Sequence, residues 1–144
     1  MLEDALGAAI ALAQGSGPSY LIQEDVSFPA TAPLARSDAK NLGHLRAANP
    51  GNWGDDEWQD LLAGRLGAWV MARHADRVIS ICHTPVSNAR AAEPGVWTHP
   101  DFRGRGLAAT TTAAWAALMR PTRGMPPPRL TACRCVAAFA AEPA

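Results

Sequence analysis

Several things are scarce in this 144-residue chain, and each scarcity excludes something. There are three cysteines, Cys82, Cys133 and Cys135. An odd number builds no disulfide framework and suits a reducing compartment. Cys133-x-Cys135 lacks the CxxC spacing of a zinc site, so no metal site is expected. Lysine is nearly absent, Lys40 being the only one, and 13 basic residues balance 13 acidic ones. Zero net charge argues against nucleic-acid binding driven by bulk charge. Long hydrophobic runs are missing too. The apolar stretch within residues 1–15 is too short to span a bilayer, and Glu3 and Asp4 stand where a secretion signal would be positive. The expectations are therefore no membrane partner, no nucleic-acid partner and a cytoplasmic location. Tyrosine occurs once, at Tyr20.

What is present suits one domain with a real core. Residues 1–18 read as an amphipathic helix and linker, closed by Gly15-Ser16-Gly17-Pro18. Residues 19–121 read as the folded domain, and 122–144 as an irregular tail. Within the domain, 19–28 is a β-prone run ending at Pro29, followed by a loop over 29–36. Ser37 or Asp38 is placed to cap a helix reaching about Ala48, with Leu42 and Leu45 at helical spacing. Asn49-Pro50-Gly51-Asn52 is a turn cluster. A second helix over 55–65 opens on Asp55, Asp56 and Glu57, the charge that a helix N-terminus prefers. Strands are expected at 68–73 and 77–83, joined by His74-Ala75-Asp76. A loop over 84–92 then leads into a strand at 93–98.

The most informative stretch is Val96 to Leu118. A short apolar strand, Val96-Trp97-Thr98, passes through His99-Pro100-Asp101-Phe102 into Arg103-Gly104-Arg105-Gly106-Leu107-Ala108, and then into a helix of small residues. This order makes an anion site. The first N–H groups of a helix lack intrahelical partners and its dipole favours negative charge there. Gly104 and Gly106 let the backbone fold close to a ligand. Arg103 and Arg105 add positive charge suited to phosphate oxygens. Gly104-x-Gly106-x-x-Ala109 also formally matches a dinucleotide fingerprint. That fingerprint needs its strand directly before the first glycine and an acidic residue about 20 positions on. Here five residues intervene, and the only later acidic residue is Glu142. A Walker loop would need Gly-Lys-Ser/Thr, which is absent. The single Arg-Gly-Arg-Gly, set between strand and helix, differs from repetitive disordered RGG tracts.

The segment 99–108 resembles the acetyl-CoA-binding motif of the GCN5-related N-acetyltransferase (GNAT) superfamily, Arg/Gln-x-x-Gly-x-Gly/Ala after a strand and a His-Pro flank. The element order from about Ser37 to Leu118 is similar to the N-terminal half of that fold. The resemblance implies an α/β protein with a mixed, mainly antiparallel sheet flanked by helices, incomplete at the C-terminus. It implies acetyl-CoA as acyl donor, an amine acceptor, and a homodimer among the expected assemblies. The loop and helix start, Arg103, Gly104, Arg105, Gly106, Leu107 and Ala108, would hold the CoA pyrophosphate. Val96, Trp97 and Thr98 would line the pantetheine arm. Glu93 would correspond to the glutamate that takes a proton from the amine. A solvated loop carboxylate is the other reading of Glu93, and Pro94-Gly95 reads as a bulge that could turn its facing.

Other residues take plainer readings. His83 and His99 titrate near neutrality but read as structural or solvent-facing. Cys82 reads as a small core residue, and Trp53, Trp58 and Trp69 as core. After Leu118 the helical pattern collapses, and three prolines at 126–128 forbid regular structure there. The family's closing strand and helix, with the tyrosine that protonates the leaving thiolate, are not evident. Residues from 122 on therefore read as a truncated or frame-shifted ending. The second functional reading is a CoA-binding or protein-interaction domain with impaired chemistry.

Overall fold

The computed structural model describes residues 19–22, 27–120 and 129–133. The N-terminal helix and linker expected over 1–18 lie outside them. Among the described residues the sheet has six strands: β1 (Ser19–Leu21), β2 (Leu34–Arg36), β3 (Val70–His74), β4 (Arg77–Ser87), β5 (Ala91–Thr98) and β6 (Arg129–Cys133). Their spatial order is β1-β6-β5-β4-β3-β2. All pairings are antiparallel except β5 with β6, which is parallel. Two α-helices, α1 (Asp55–Leu62) and α2 (Leu107–Met119), complete the described architecture. Neither is long and apolar enough to cross a membrane.

Strand periodicity sorts the sheet's side chains between two faces. Met71, Ile81 and Trp97 join Leu45, Trp58, Leu61 and Trp69 on the α1 face. Val70, Cys82 and Ala92 join Trp115 and Ala116 on the α2 face. Helix α2 is buried along nearly its whole first two turns, from Leu107 to Ala113. Its Ala and Thr side chains are short enough for the backbone to lie close to the sheet. Thr110 and Thr111 turn their hydroxyls back to the carbonyls of Gly106 and Leu107, each at 3.0 Å, the usual way a buried helical threonine satisfies itself. Trp115 fastens the helix: its Nε1 donates to Thr84 Oγ1 at 2.9 Å, and that hydroxyl donates to the Ala68 carbonyl at 2.7 Å.

Several expectations are corrected. The helix placed over 37–48 is only a 3-10 turn at Gly43–Leu45. Ser37 serves the sheet instead: its amide donates to the Trp69 carbonyl, and its Oγ accepts from the Trp69 amide. Asn41 then adopts φ 66, which no helix continues through. The loop expected over 29–36 contains edge strand β2, and among the described residues of the strand expected over 19–28, Ser19–Leu21 is strand while Ile22, Ser27 and Phe28 are not. The loop expected over 84–92 is mostly strand. Its β4 part accepts Pro85 because the register slips by one residue between His83 and Val86, a bulge that spares the ladder a missing donor. Only Asn88 to Arg90 turn, with Asn88 Oδ1 accepting from the amides of Arg90 and Ala91. Helix α1 ends three residues earlier than expected. The tail expected to be irregular over 122–144 contains β6, which lies between β5 and β1, so residues past the prolines do re-enter the sheet.

Candidate active site

Two features of β5 decide what the site looks like. The first is where its pairing stops. β6 pairs with β5 only at Ala91↔Arg129 and Ala92↔Leu130. The His99 amide donates to the Ile79 carbonyl at 2.8 Å. In an antiparallel ladder alternate residues share that phase, so Trp97 and Gly95 also face β4. Val96 and Thr98 therefore turn their amides and carbonyls to the other edge, as does the backbone at Pro94. Pro94 has no N–H to give, which ends the β5–β6 ladder at that point. Among the described residues no strand pairs with β5 beyond Ala92. The edge carrying Val96 and Thr98 thus opens into a gap between two strands of one sheet. Pro94 breaks this outer ladder. The bulge lies instead opposite, on β4.

The second feature is the loop that follows. His99 caps a 3-10 turn at Pro100–Phe102, its Nδ1 accepting from the Asp101 amide at 3.2 Å. Arg103 Nε donates to the Thr98 carbonyl at 3.2 Å, and Arg105 donates to the Asp101 carbonyl at 3.3 Å while lying 4.9 Å from the Phe102 ring centre. Both guanidinium groups are thus anchored at the loop, each with donors to spare. Gly104 and Gly106 adopt φ 73 and 74, and a Cβ on either would meet nothing within 4 Å. They are glycine for their backbone conformation, and the space above them is open. Helix α2 starts at Gly106 with no side-chain cap and no acidic residue in its first turn. Its first internal bond runs from the Thr110 amide to the Gly106 carbonyl. The amides of Leu107, Ala108 and Ala109 have no partner among the described residues, although the side chains of these residues are buried. Leu107 and Ala108 can therefore contribute only backbone N–H groups to a ligand. An uncapped helix start with open glycines and two cations is a cradle for an anion such as pyrophosphate.

On the α1 face of the same strand, Trp53 stands among three rings. Its centroid lies 5.8 Å from Trp58, 6.0 Å from His83 and 6.2 Å from Trp97, the last two edge-on. Glu93 is exposed on β5, on this face by strand alternation with Gly95 and Trp97. His83 pairs with Gly95 across β4 and β5. It is partly buried, which holds its imidazole below the usual pKa of 6.5, with Glu57 pulling weakly the other way. Reading His83 as structural from sequence missed this setting. The signal was its alternation with Ile81 on the face that also carries Trp97.

The other singled-out residues sit where expected. Trp58 and Trp69 are fully buried in the core. Cys82 is buried, and burial pushes its thiol pKa far upward, so it is a packing residue without nucleophilic character. Among the described residues, no three His, Cys, Asp or Glu side chains gather where they could hold a metal ion.

The chain is similar in fold to a GCN5-related N-acetyltransferase-like protein from Streptococcus suis 89/1591, with TM-score 0.52 and 22% identity over 94% of this chain and 61% of that one. A GNAT-family protein from Novosphingobium aromaticivorans DSM 12444 also matches, with TM-score 0.46 and 24% identity over 85% of this chain and 59% of that one. The chain thus spans about six tenths of the length of each. No family model and no curated protein matches the sequence. The likeness to the Streptococcus suis protein establishes a GNAT-like fold, as the sequence motif implied.

Proposed function

We propose that the chain is an acyltransferase that moves the acetyl group of acetyl-CoA to an amine. The observation that carries this reading is the continuity of two binding features. The unpaired edge of β5 runs directly into an uncapped helix start flanked by two left-handed glycines and two arginines. A ligand with a pyrophosphate at one end and an amide-bearing arm behind it suits both. The amides of Leu107, Ala108 and Ala109 would receive phosphate oxygens, and Arg103 and Arg105 would add charge. The backbone groups of Val96 and Thr98 would meet the arm's amides as a further strand would. Trp97 lies on the opposite side of the strand and contributes its ring to the acceptor face instead.

Acetyl-CoA would supply the activated thioester, and the protein's task is to orient it and to manage the proton of the incoming amine. β5 leads from the loop back past Val96 to Gly95, which brings the acyl end of such a ligand toward the face bearing Trp53, Trp97 and His83. Glu93 lies on that face and is the carboxylate suggested by the family resemblance. Its exposure suits drawing a cationic amine toward the cleft.

The test is a calorimetric titration and thermal-shift comparison of CoA with NAD. The expected result is that CoA binds and raises the melting temperature, while NAD does neither. NAD binding with no response to CoA would replace this reading with the dinucleotide one. Thiol release from acetyl-CoA across a panel of amines then separates an enzyme from a domain that only binds CoA.

A further inference from the structure

The acceptor face offers two groups that could take a proton, and they differ in placement. Glu93 is exposed, beyond the β4 bulge and beside the β5–β6 pairing. His83 lies over the β5 backbone itself. A Cβ on Gly95 would come within 2.5 Å of His83 Nε2 and 2.9 Å of its Cε1. The ring therefore occupies the volume a side chain at position 95 would fill. Gly95 immediately precedes Val96, the first residue whose N–H turns to the open gap. Trp53 holds the ring edge-on at 6.0 Å. Among the described residues neither ring nitrogen has a hydrogen-bond partner, and neither is sealed from solvent.

We propose that His83 takes the proton of the acceptor amine, with Glu93 drawing the amine to the site. The inference rests on the acyltransferase reading and assigns the base within it. In the step, the ammonium gives one proton to a ring nitrogen of neutral His83. The freed amine nitrogen bonds to the thioester carbonyl carbon, the C–S bond breaks, and its electron pair leaves on sulfur. The second nitrogen proton passes through water to that thiolate, giving the amide, the free thiol and a protonated His83 that returns its proton to solvent. Burial keeps the ring neutral at physiological pH, which is the form the step requires. Glu57 from α1 is the charged group that acts on the ring, and it stabilises the imidazolium once formed; Glu93 stands two residues from Gly95 on β5, opposite Val86.

The experiment compares the wild type with His83→Gln and Glu93→Gln. CoA affinity is measured by calorimetry, and the pH dependence of acetylation is measured on the best acceptor from an amine panel. The ring titration of His83 is followed by NMR in the ligand-free protein, its resonance identified by its loss in His83→Gln. The expected outcome is unchanged CoA affinity in all three proteins and a His83 midpoint below about 6.5. His83→Gln should lose roughly 100-fold or more in kcat, together with the acidic limb of the wild-type profile. Glu93→Gln should keep that limb and chiefly raise KM. A His83→Gln protein within a few-fold of wild type, or retaining the limb, overturns the assignment while the acyltransferase reading stands. A His83 midpoint above about 7 overturns it as well, because the ring would already be charged. CoA binding with no acetylation of any amine removes His83's role and leaves a CoA-binding domain. No CoA binding at all overturns both.

Discussion

The contact between Gly95 and His83 can be broken with one methyl group. In Gly95→Ala the new Cβ would lie 2.5 Å from His83 Nε2, 2.9 Å from Cε1 and 3.1 Å from Cδ2, so the ring must move. Backbone conformation is no obstacle, since Gly95 has no positive φ. The cost is therefore that of the displaced ring. Losing the edge-on contact with Trp53 costs about 0.5–1.5 kcal/mol, and forcing the side chain off its rotamer costs about as much again. The total, about 1–3 kcal/mol, is that of ordinary overpacking. Urea unfolding of four proteins, the wild type, Gly95→Ala, His83→Ala and the double variant, isolates the pair. With the ring gone, Gly95→Ala should be neutral or stabilising by about 0.4–1 kcal/mol, because alanine loses less chain entropy on folding. Equal destabilisation in both backgrounds, or none in either, would refute the placement of the ring over Gly95.

Thr84→Val keeps the shape of a buried side chain but strips the acceptor from Trp115 Nε1; it should cost about 1–3 kcal/mol in urea unfolding, and a neutral variant would mean the indole has another partner. Stability should fall as pH drops below about 6.5, because the partly buried His83 resists protonation in the fold but accepts it freely in the unfolded chain. The loss continues until the folded ring is also charged, and His83→Gln should flatten it between about pH 7.5 and about pH 5.5; an unchanged slope would contradict the burial argument. Gly106→Val places a β-branched side chain at φ 74 in the loop, where the strain and the blocked approach should together weaken CoA binding by calorimetry. Each charge-assisted phosphate hydrogen bond lost is worth about 1.5–3 kcal/mol, whereas Glu93→Gln should leave CoA affinity unchanged. Equal losses in the two variants would count against the cofactor placement.

The loop was legible in the sequence because its chemistry is local. Arg103-Gly104-Arg105-Gly106 states its own backbone demand, and both glycines adopt the left-handed conformation. The central hairpin β3–β4 was legible from β-branched and apolar runs on either side of a short turn. What failed depended on distant partners. Ser37 reads as a helix cap, but Trp69, 32 residues later, claims both its amide and its hydroxyl. Pro85 reads as the end of a strand, and only the extra residue on β4 opposite β5 makes it tolerable. Pro94 was read as a bulge when its effect is to end the ladder with β6, a strand whose own residues stand 35 or more positions away. His83 looked structural because nothing near it in sequence shows that residue 95, across the sheet, leaves room for its ring. The prolines at 126–128 hid β6, since a triple proline excludes helix and ladder at those positions but not at the next.

The central claim is that one ligand lies along the open edge of β5 and ends on the loop and helix start. The most direct measurement is an amide-resolved NMR titration of the isotopically labelled chain with CoA. The account predicts the largest shifts at the amides of Gly104 to Ala109, accompanied by Val96 and Thr98, with Trp97 and Gly95 moving less because their amides face β4. Shifts confined to other surfaces, or a loop that responds while Val96 and Thr98 stay fixed, would contradict it.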